Sequence, residues 1–210
     1  MNVAVTIDEV GNITSPDIGK TSLATKRIVV AYGFWIFLLS DVVMFSALFA
    51  SYAVLTRANA GGPTGGQLFS QTSVAIETAC LLASSYTCGL MSLAVNSRRR
   101  AATYFFAAVT FVLGAAFLNL EIHEFAAMIA RGATPQRSAF LSAFFTLVGC
   151  HGLHVTAGLV WLVVMMAQVA IKGFRPNVER RLVCFALFWH TLDIVWVWLF
   201  TVVYLMGVRP

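Results

Sequence analysis

Five long apolar runs, each free of lysine and arginine, constrain this chain more than any other feature. They cover about residues 28–55, 73–95, 102–129, 139–171 and 182–206. A bilayer hydrocarbon core about 30 Å thick takes roughly 20 helical residues to cross, and every run is long enough. Strand-type alternation is absent, which excludes a barrel. The expected fold is therefore all-α, an integral membrane bundle of five transmembrane helices over 28–210 behind a polar tail, 1–27. The fourth run is long for one crossing and is expected to tilt or to project beyond the membrane.

Composition agrees with this reading. The chain is 59% apolar and 11% charged, where a soluble domain carries about a quarter charged residues. The net charge of +5 raises the question of nucleic acid. However, the basic residues sit in short clusters between the runs and form no stripe, so no nucleic-acid partner is expected. The four cysteines (Cys80, Cys88, Cys150 and Cys184) all lie inside apolar runs without a Cys-x-x-Cys pair. Neither a disulfide framework nor a thiolate metal site follows. The segment Met1 to Lys26 holds Asp8, Glu9 and Asp17 and lacks the basic-then-apolar order of a cleavable leader, so the first span is expected to serve as insertion signal.

The connections orient the bundle. Arg57 to Gln71 is rich in glycine, Asn96–Arg100 is a tight turn ending in three arginines, Arg131–Arg137 contains Gly132 and Pro135, and Lys172–Arg181 is strongly basic. Placing alternate connections on alternate sides puts ten basic residues on the N-terminal side. They are Lys20, Lys26, Arg27, Arg98, Arg99, Arg100, Lys172, Arg175, Arg180 and Arg181. Only Arg57, Arg131, Arg137 and Arg209 fall opposite. The positive-inside rule then predicts a cytoplasmic N-terminus and a C-terminus outside.

Acids and histidines are distributed differently. Asp41, Glu77, Glu121, Glu124 and Asp193 lie within the runs, as do His123, His151, His154 and His190. An ionised group at membrane depth costs at least about 2.5–3.5 kcal/mol, and no lysine or arginine shares that depth. These groups are expected to be protonated, or to find partners in histidines, hydroxyls, lipid headgroups or another subunit. Glu121/Glu124, His151/His154 and His190/Asp193 are each three apart, on one helix face. Small residues (Ser46/Ala50, Ala47/Ser51, Gly149/Gly152 and Gly158) are expected to let helices approach closely. No Glu-x-x-His occurs, so a di-iron bundle is not indicated, and zinc-type His-Glu-x-x-His is also missing. A haem bound by two of the histidines and a proton relay through Glu121 and Glu124 are the reactive alternatives. Structural contact between helices, subunits and lipid is the expected role. A transporter with paired broken helices finds no internal symmetry to support it.

Several segments together carry a family resemblance. They are Gly33 to Asp41 with Phe45 to Tyr52, Glu77 to Ser85, Leu120-Glu-Ile-His-Glu-Phe125 and Ser138 to Phe145. Gly149-Cys-His-Gly-Leu-His-Val155 and Phe188-Trp-His-Thr-Leu-Asp-Ile-Val-Trp196, running to Tyr204-Leu-Met-Gly207, are the most specific. From about residue 28 onward the chain resembles subunit III of the haem–copper respiratory oxidases, most closely the cytochrome o-type ubiquinol branch. Two departures stand out. The mitochondrial type has seven spans and this chain lacks the first two, so it cannot by itself form the lipid-filled cleft of that form. Asp41 also stands where that type carries glutamate.

The resemblance implies a non-catalytic subunit of a proton-pumping quinol:oxygen oxidoreductase in a bacterial inner membrane. Haems and copper would belong to subunit I and none to this chain. It would pack directly on subunit I, with subunits II and IV in the same complex, hold phospholipid, and support assembly and sustained proton uptake. On this reading no residue is catalytic and none binds metal. Glu121, Glu124, His151, His154, His190 and Asp193 would knit spans three, four and five together, while Asp41 and Glu77 would face the remaining gap or lipid. A bacterial cytochrome c oxidase subunit III is the nearest alternative, and a self-contained membrane metalloprotein a more distant one.

Overall fold

A computed structural model of the chain describes residues 18–56 and 71–205. Among these residues there is no strand. The elements are α1 (Ile18–Leu55), α2 (Gln71–Asn96), α3 (Arg100–Ala130), a 3₁₀ turn (Pro135–Arg137), α4 (Ala139–Lys172), α5 (Pro176–Leu199) and a π-helical segment, Phe200–Leu205. Five helices are long and apolar enough to cross a membrane, as expected. At 1.5 Å per residue, the 31 residues of α3 and the 34 of α4 run to about 46 and 51 Å. Both exceed a core of about 30 Å.

Some boundaries differ from the sequence reading. Helix α1 begins at Ile18, inside the stretch read as tail. Helix α5 begins at Pro176 and carries Arg180 and Arg181 on its first turns. Proline at the first helical position needs no backbone donor there, so the basic stretch is half helix. The glycine-rich connection after Arg57 and the Met206–Pro210 end lie outside the described residues.

The chain divides into two compact units, Met1–Phe37 and Leu38–Pro210. The described part of the first is the N-terminal portion of α1, where the Phe34 and Phe37 rings stack one turn apart at 5.8 Å. In the second unit, α2 to α5 form a closed ring of neighbours: α2 with α3, α3 with α4, α4 with α5, and α5 back to α2. The rest of α1 joins this unit through one seam. Leu38, Phe45 and Tyr52 are buried, and Asp41, Leu48 and Leu55 are half-buried. Seven-residue spacing of both sets is the a/d pattern of a coiled-coil contact. Phe45 meets His154 at 5.3 Å and Tyr52 meets Phe140 at 5.8 Å between ring centres, so the seam faces α4. Ser46, Ala47, Ala50 and Ser51 are exposed. That small-residue stripe brings no helix close among the described residues, contrary to expectation.

Trp189 of α5 is the keystone of the ring. Its indole lies where a Cβ at Gly158 of α4 would come within 2.8 Å and one at Gly114 of α3 within 3.1 Å. Its Nε1 donates to Ser84 Oγ of α2 at 3.1 Å. One side chain thus touches all three other helices of the ring. Only glycine leaves room for it on two of them, and without a hydrophobic drive between helices in lipid such close packing is the main source of cohesion.

Candidate functional site: polar groups inside the bundle

The buried polar residues fall into four groups. The largest gathers Glu77 of α2 with Glu121 and Glu124 of α3, all within mutual electrostatic reach. Tyr204 of the π segment and Tyr52 of α1 close the same neighbourhood. A π segment re-aims side chains that a regular helix would place elsewhere. Glu77 is 1% and Glu121 4% exposed. Among the described residues, both oxygens of Glu77, one of Glu121 and one of Glu124 are enclosed without a hydrogen-bond partner, as is the Tyr52 hydroxyl. Glu77, expected to face the remaining gap or lipid, lines a cavity at the start of α2 where α2 packs on α3, which also brings it to the two glutamates. The bare α-carbon of Gly152 makes room for Glu121, since a Cβ there would come within 2.8 Å of the carboxylate.

The second group is His151 alone. It is fully buried among aromatic rings, with Phe117 at 5.9 Å, Trp196 at 5.2 Å and Phe45 at 6.3 Å. Neither ring nitrogen has a hydrogen-bond partner among the described residues. His154, one turn on, points to a different neighbour. Its Nδ1 pairs with the Cys150 carbonyl at 2.7 Å, and Asp41 of α1 lies within electrostatic reach of both His154 and Cys150. Asp41 and His154 therefore come near each other where span one meets span four, beside the Phe45–His154 ring contact.

The fourth group joins α5 to α2. The Ser85 hydroxyl pairs with His190 Nδ1 at 2.7 Å, and Asp193 sits beside Ser85 and His190. Among the eight site residues read from the sequence, His190 and Asp193 thus tie span five to span two, not to spans three and four. A shallow cavity of about 420 Å³ opens beside this pair and is otherwise walled by Leu82, Tyr86 and Leu90 among others. Sequence reasoning missed the partners that α2 supplies to the tryptophans. Besides the Trp189–Ser84 bond, Trp196 Nε1 donates to Thr78 Oγ1 at 3.1 Å. A signal was present, since Thr78, Ser84 and Ser85 lie in an apolar run and a buried indole N–H seeks a partner. Thr87 and Thr110 add a hydroxyl contact from α2 to α3 at 2.8 Å.

Among the described residues, no three or more His, Cys, Asp or Glu side chains are placed to hold a metal ion. Hydrogen bonds at Thr78, Ser84, Ser85 and Thr87 of α2 link it to α5 and α3.

Five membrane-length helices with these cross-links define an all-helical, multi-pass membrane protein. The chain belongs to the cytochrome c oxidase subunit III family, whose match spans residues 16–208. Among its relatives is the cytochrome bo(3) ubiquinol oxidase subunit 3 of Pseudomonas aeruginosa, 52% identical over 84% of each chain. The protein of the same name from Buchnera aphidicola subsp. Acyrthosiphon pisum is 40% identical over 87% of this chain and 88% of its own. The quinol oxidase subunit 3 of Bacillus subtilis is 42% identical over 95% of this chain and 96% of its own.

Proposed function

We propose that this chain is the non-catalytic subunit III of a proton-pumping quinol oxidase in a bacterial inner membrane. The observation that carries the reading is the relatives' names: both the Pseudomonas and Bacillus proteins are quinol-branch subunits, matched over most of their length. On this reading haems and copper reside in subunit I, against which the chain packs directly, with subunits II and IV nearby. No residue of this chain is catalytic. It holds phospholipid and supports assembly and sustained proton uptake by the catalytic subunit.

The eight polar residues then serve packing. Glu121, Glu124, His151, His190 and Asp193 fasten the ring of helices, Glu77 completes the carboxylate cluster, and Asp41 with His154 fixes α1. Ten basic residues on one side against four on the other support an orientation with the N-terminus in the cytoplasm and the C-terminus outside.

The test separates assembly from turnover. In a His151→Ala or Glu124→Ala strain, the amount of assembled oxidase is expected to fall further than the turnover of each assembled complex. Full assembly with abolished turnover would overturn the packing role and favour a proton relay.

A further inference from the structure

We propose that the groove between α2 and α5 binds the ring of a quinol, with the apolar tail of the same molecule lying along α2. The groove holds a cavity of about 420 Å³ lined by Ser85, His190 and Asp193 together with Gly89, Leu90 and Leu93. An apolar wall with a few placed polar groups is the usual make-up of a small-molecule site. The bonds Trp189–Ser84 and Trp196–Thr78 show that α2 and α5 run antiparallel. Asp193 therefore lies on the Leu82 side of His190, and the polar groups gather at one end of the groove. They form one connected set. Ser85 Oγ pairs with His190 Nδ1 at 2.7 Å, and Asp193 sits beside both. His190 is half-buried, and its second ring nitrogen, Nε2, makes no hydrogen bond among the described residues.

Depth selects the ligand. At 1.5 Å per residue, Ser85 stands about 21 Å from the Gln71 end of α2 and about 17 Å from its Asn96 end. His190 stands midway along the span Pro176–Tyr204. Both lie near the middle of a core about 30 Å thick. Charged headgroups and aqueous ions are kept from that depth by the cost of burying charge, whereas a neutral ring dissolved in the membrane reaches it. An unpaired ring nitrogen in hydrocarbon costs free energy until a hydrogen bond meets it. The imidazole suits both redox forms of such a ring. When Nδ1 donates to Ser85, the Ser85 hydroxyl is free to donate to Asp193, and Nε2 accepts from a quinol hydroxyl. When Ser85 donates to Nδ1, Nε2 carries the proton and donates to a quinone carbonyl. The tail follows from the spacing on α2, where Leu82, Tyr86, Gly89 and Leu93 are three or four apart and form one stripe. Gly89 leaves that stripe open, with nothing within 4 Å of where its Cβ would stand. The lining on α2 ends at Leu82 and Leu93, about 17 Å apart. A partner's transmembrane helix would need contact along the whole core of about 30 Å; a ring with an apolar tail does not.

The site rests on the quinol-oxidase reading for the class of its ligand, and the test reads the two apart. The full-length chain is purified in detergent with its native partners and depleted of quinone. It is then illuminated with an azido-ubiquinone bearing an isoprenoid tail, and the cross-linked peptides are mapped by mass spectrometry. Quinol:oxygen turnover of the same preparation is measured in parallel. Label is expected within residues 82–93 of α2 or beside His190 on α5, displaced by excess ubiquinone and not by a polyprenyl alcohol of equal tail length. Gly89→Leu fills the groove where the space is open. It should abolish the label while melting at or above wild type, since leucine is the better helix former. His190→Leu should weaken displacement by ubiquinone about fivefold, the scale of one hydrogen bond. Label displaced equally by the alcohol, or label that survives Gly89→Leu, overturns the proposal. So does a Gly89→Leu complex that loses a partner subunit, which would show that a helix fills the groove. Turnover with no label on α2 or α5 overturns the site and leaves the oxidase reading standing; label there without turnover supports the site and overturns that reading.

Discussion

Replacing Gly158 by alanine adds one methyl group where the structure leaves no room for it. The new Cβ would stand 2.8 Å from one ring carbon of Trp189, 3.0 Å from the next and 3.2 Å from Phe188. Contacts under 3.0 Å force something to move, and little here can. Both neighbours are rigid rings. Trp189 also packs over Gly114, where an added Cβ would stand 3.1 Å from the indole, and is anchored through its Nε1 to Ser84. Overpacking of this kind costs about 1–3 kcal/mol. Alanine's better helix propensity returns up to about 1 kcal/mol, which leaves a net loss of up to about 2 kcal/mol. Gly149→Ala is the control. Its Cβ would meet only Phe125, at 3.9 Å, so it gains the propensity without the clash and should be neutral or slightly stabilising. The assay is thermal unfolding in dodecyl maltoside, followed by size-exclusion chromatography of the surviving fraction. Gly158→Ala should melt below wild type, Gly149→Ala at or above it, and Trp189→Phe should relieve part of the Gly158→Ala defect. If the two alanine variants melt together, the keystone role of Trp189 is refuted.

Other expectations follow from the same contacts. Gly152→Ala drives a methyl group against the Glu121 carboxylate and should lower stability by about 1–3 kcal/mol; the double variant with Glu121→Ala should recover part of it in the same melting assay. Trp196→Phe and Thr78→Val remove the two halves of one hydrogen bond. A double-mutant cycle in detergent denaturation should give a coupling near 0.6 kcal/mol, the average for interhelical bonds in membranes, and a coupling indistinguishable from zero would show that the bond carries no stability. Arg98 has φ 52°, a left-handed conformation that costs a side-chain-bearing residue about 1–2 kcal/mol, against an exposed Glu179 ion pair at 3.7 Å worth about 0–1 kcal/mol. Arg98→Gly is therefore expected to hold or raise the melting temperature, and a clear drop would reverse that ranking.

The helices were legible from the sequence because length and apolarity alone decide whether a segment can cross a bilayer. The seam of α1, with its seven-residue spacing of Leu38, Phe45 and Tyr52, went unread, because the small residues beside it drew the notice instead. Those small residues proved exposed, since small side chains permit close approach without specifying a neighbour. Pairings across helices were harder. Glu121 and Glu124 read as a pair because they share a helix face, but nothing in local spacing brings Glu77 to them; that depends on how α2 docks on α3. For the same reason Ser85 was not foreseen as the partner of His190, nor Ser84 and Thr78 as those of the tryptophans. Spacing along one helix reports its own face. The identity of the facing helix is a property of the packed ring.

The central claim is that this chain serves an oxidase without carrying its redox chemistry. The most direct measurement is purification of the chain in two forms, alone and with its native partners, followed by optical spectra and metal analysis of each. The account predicts haem and copper in stoichiometric amounts in the complex, and a colourless, metal-free isolated chain that retains its helical circular dichroism. A Soret band or stoichiometric iron or copper on the isolated, folded chain would contradict it.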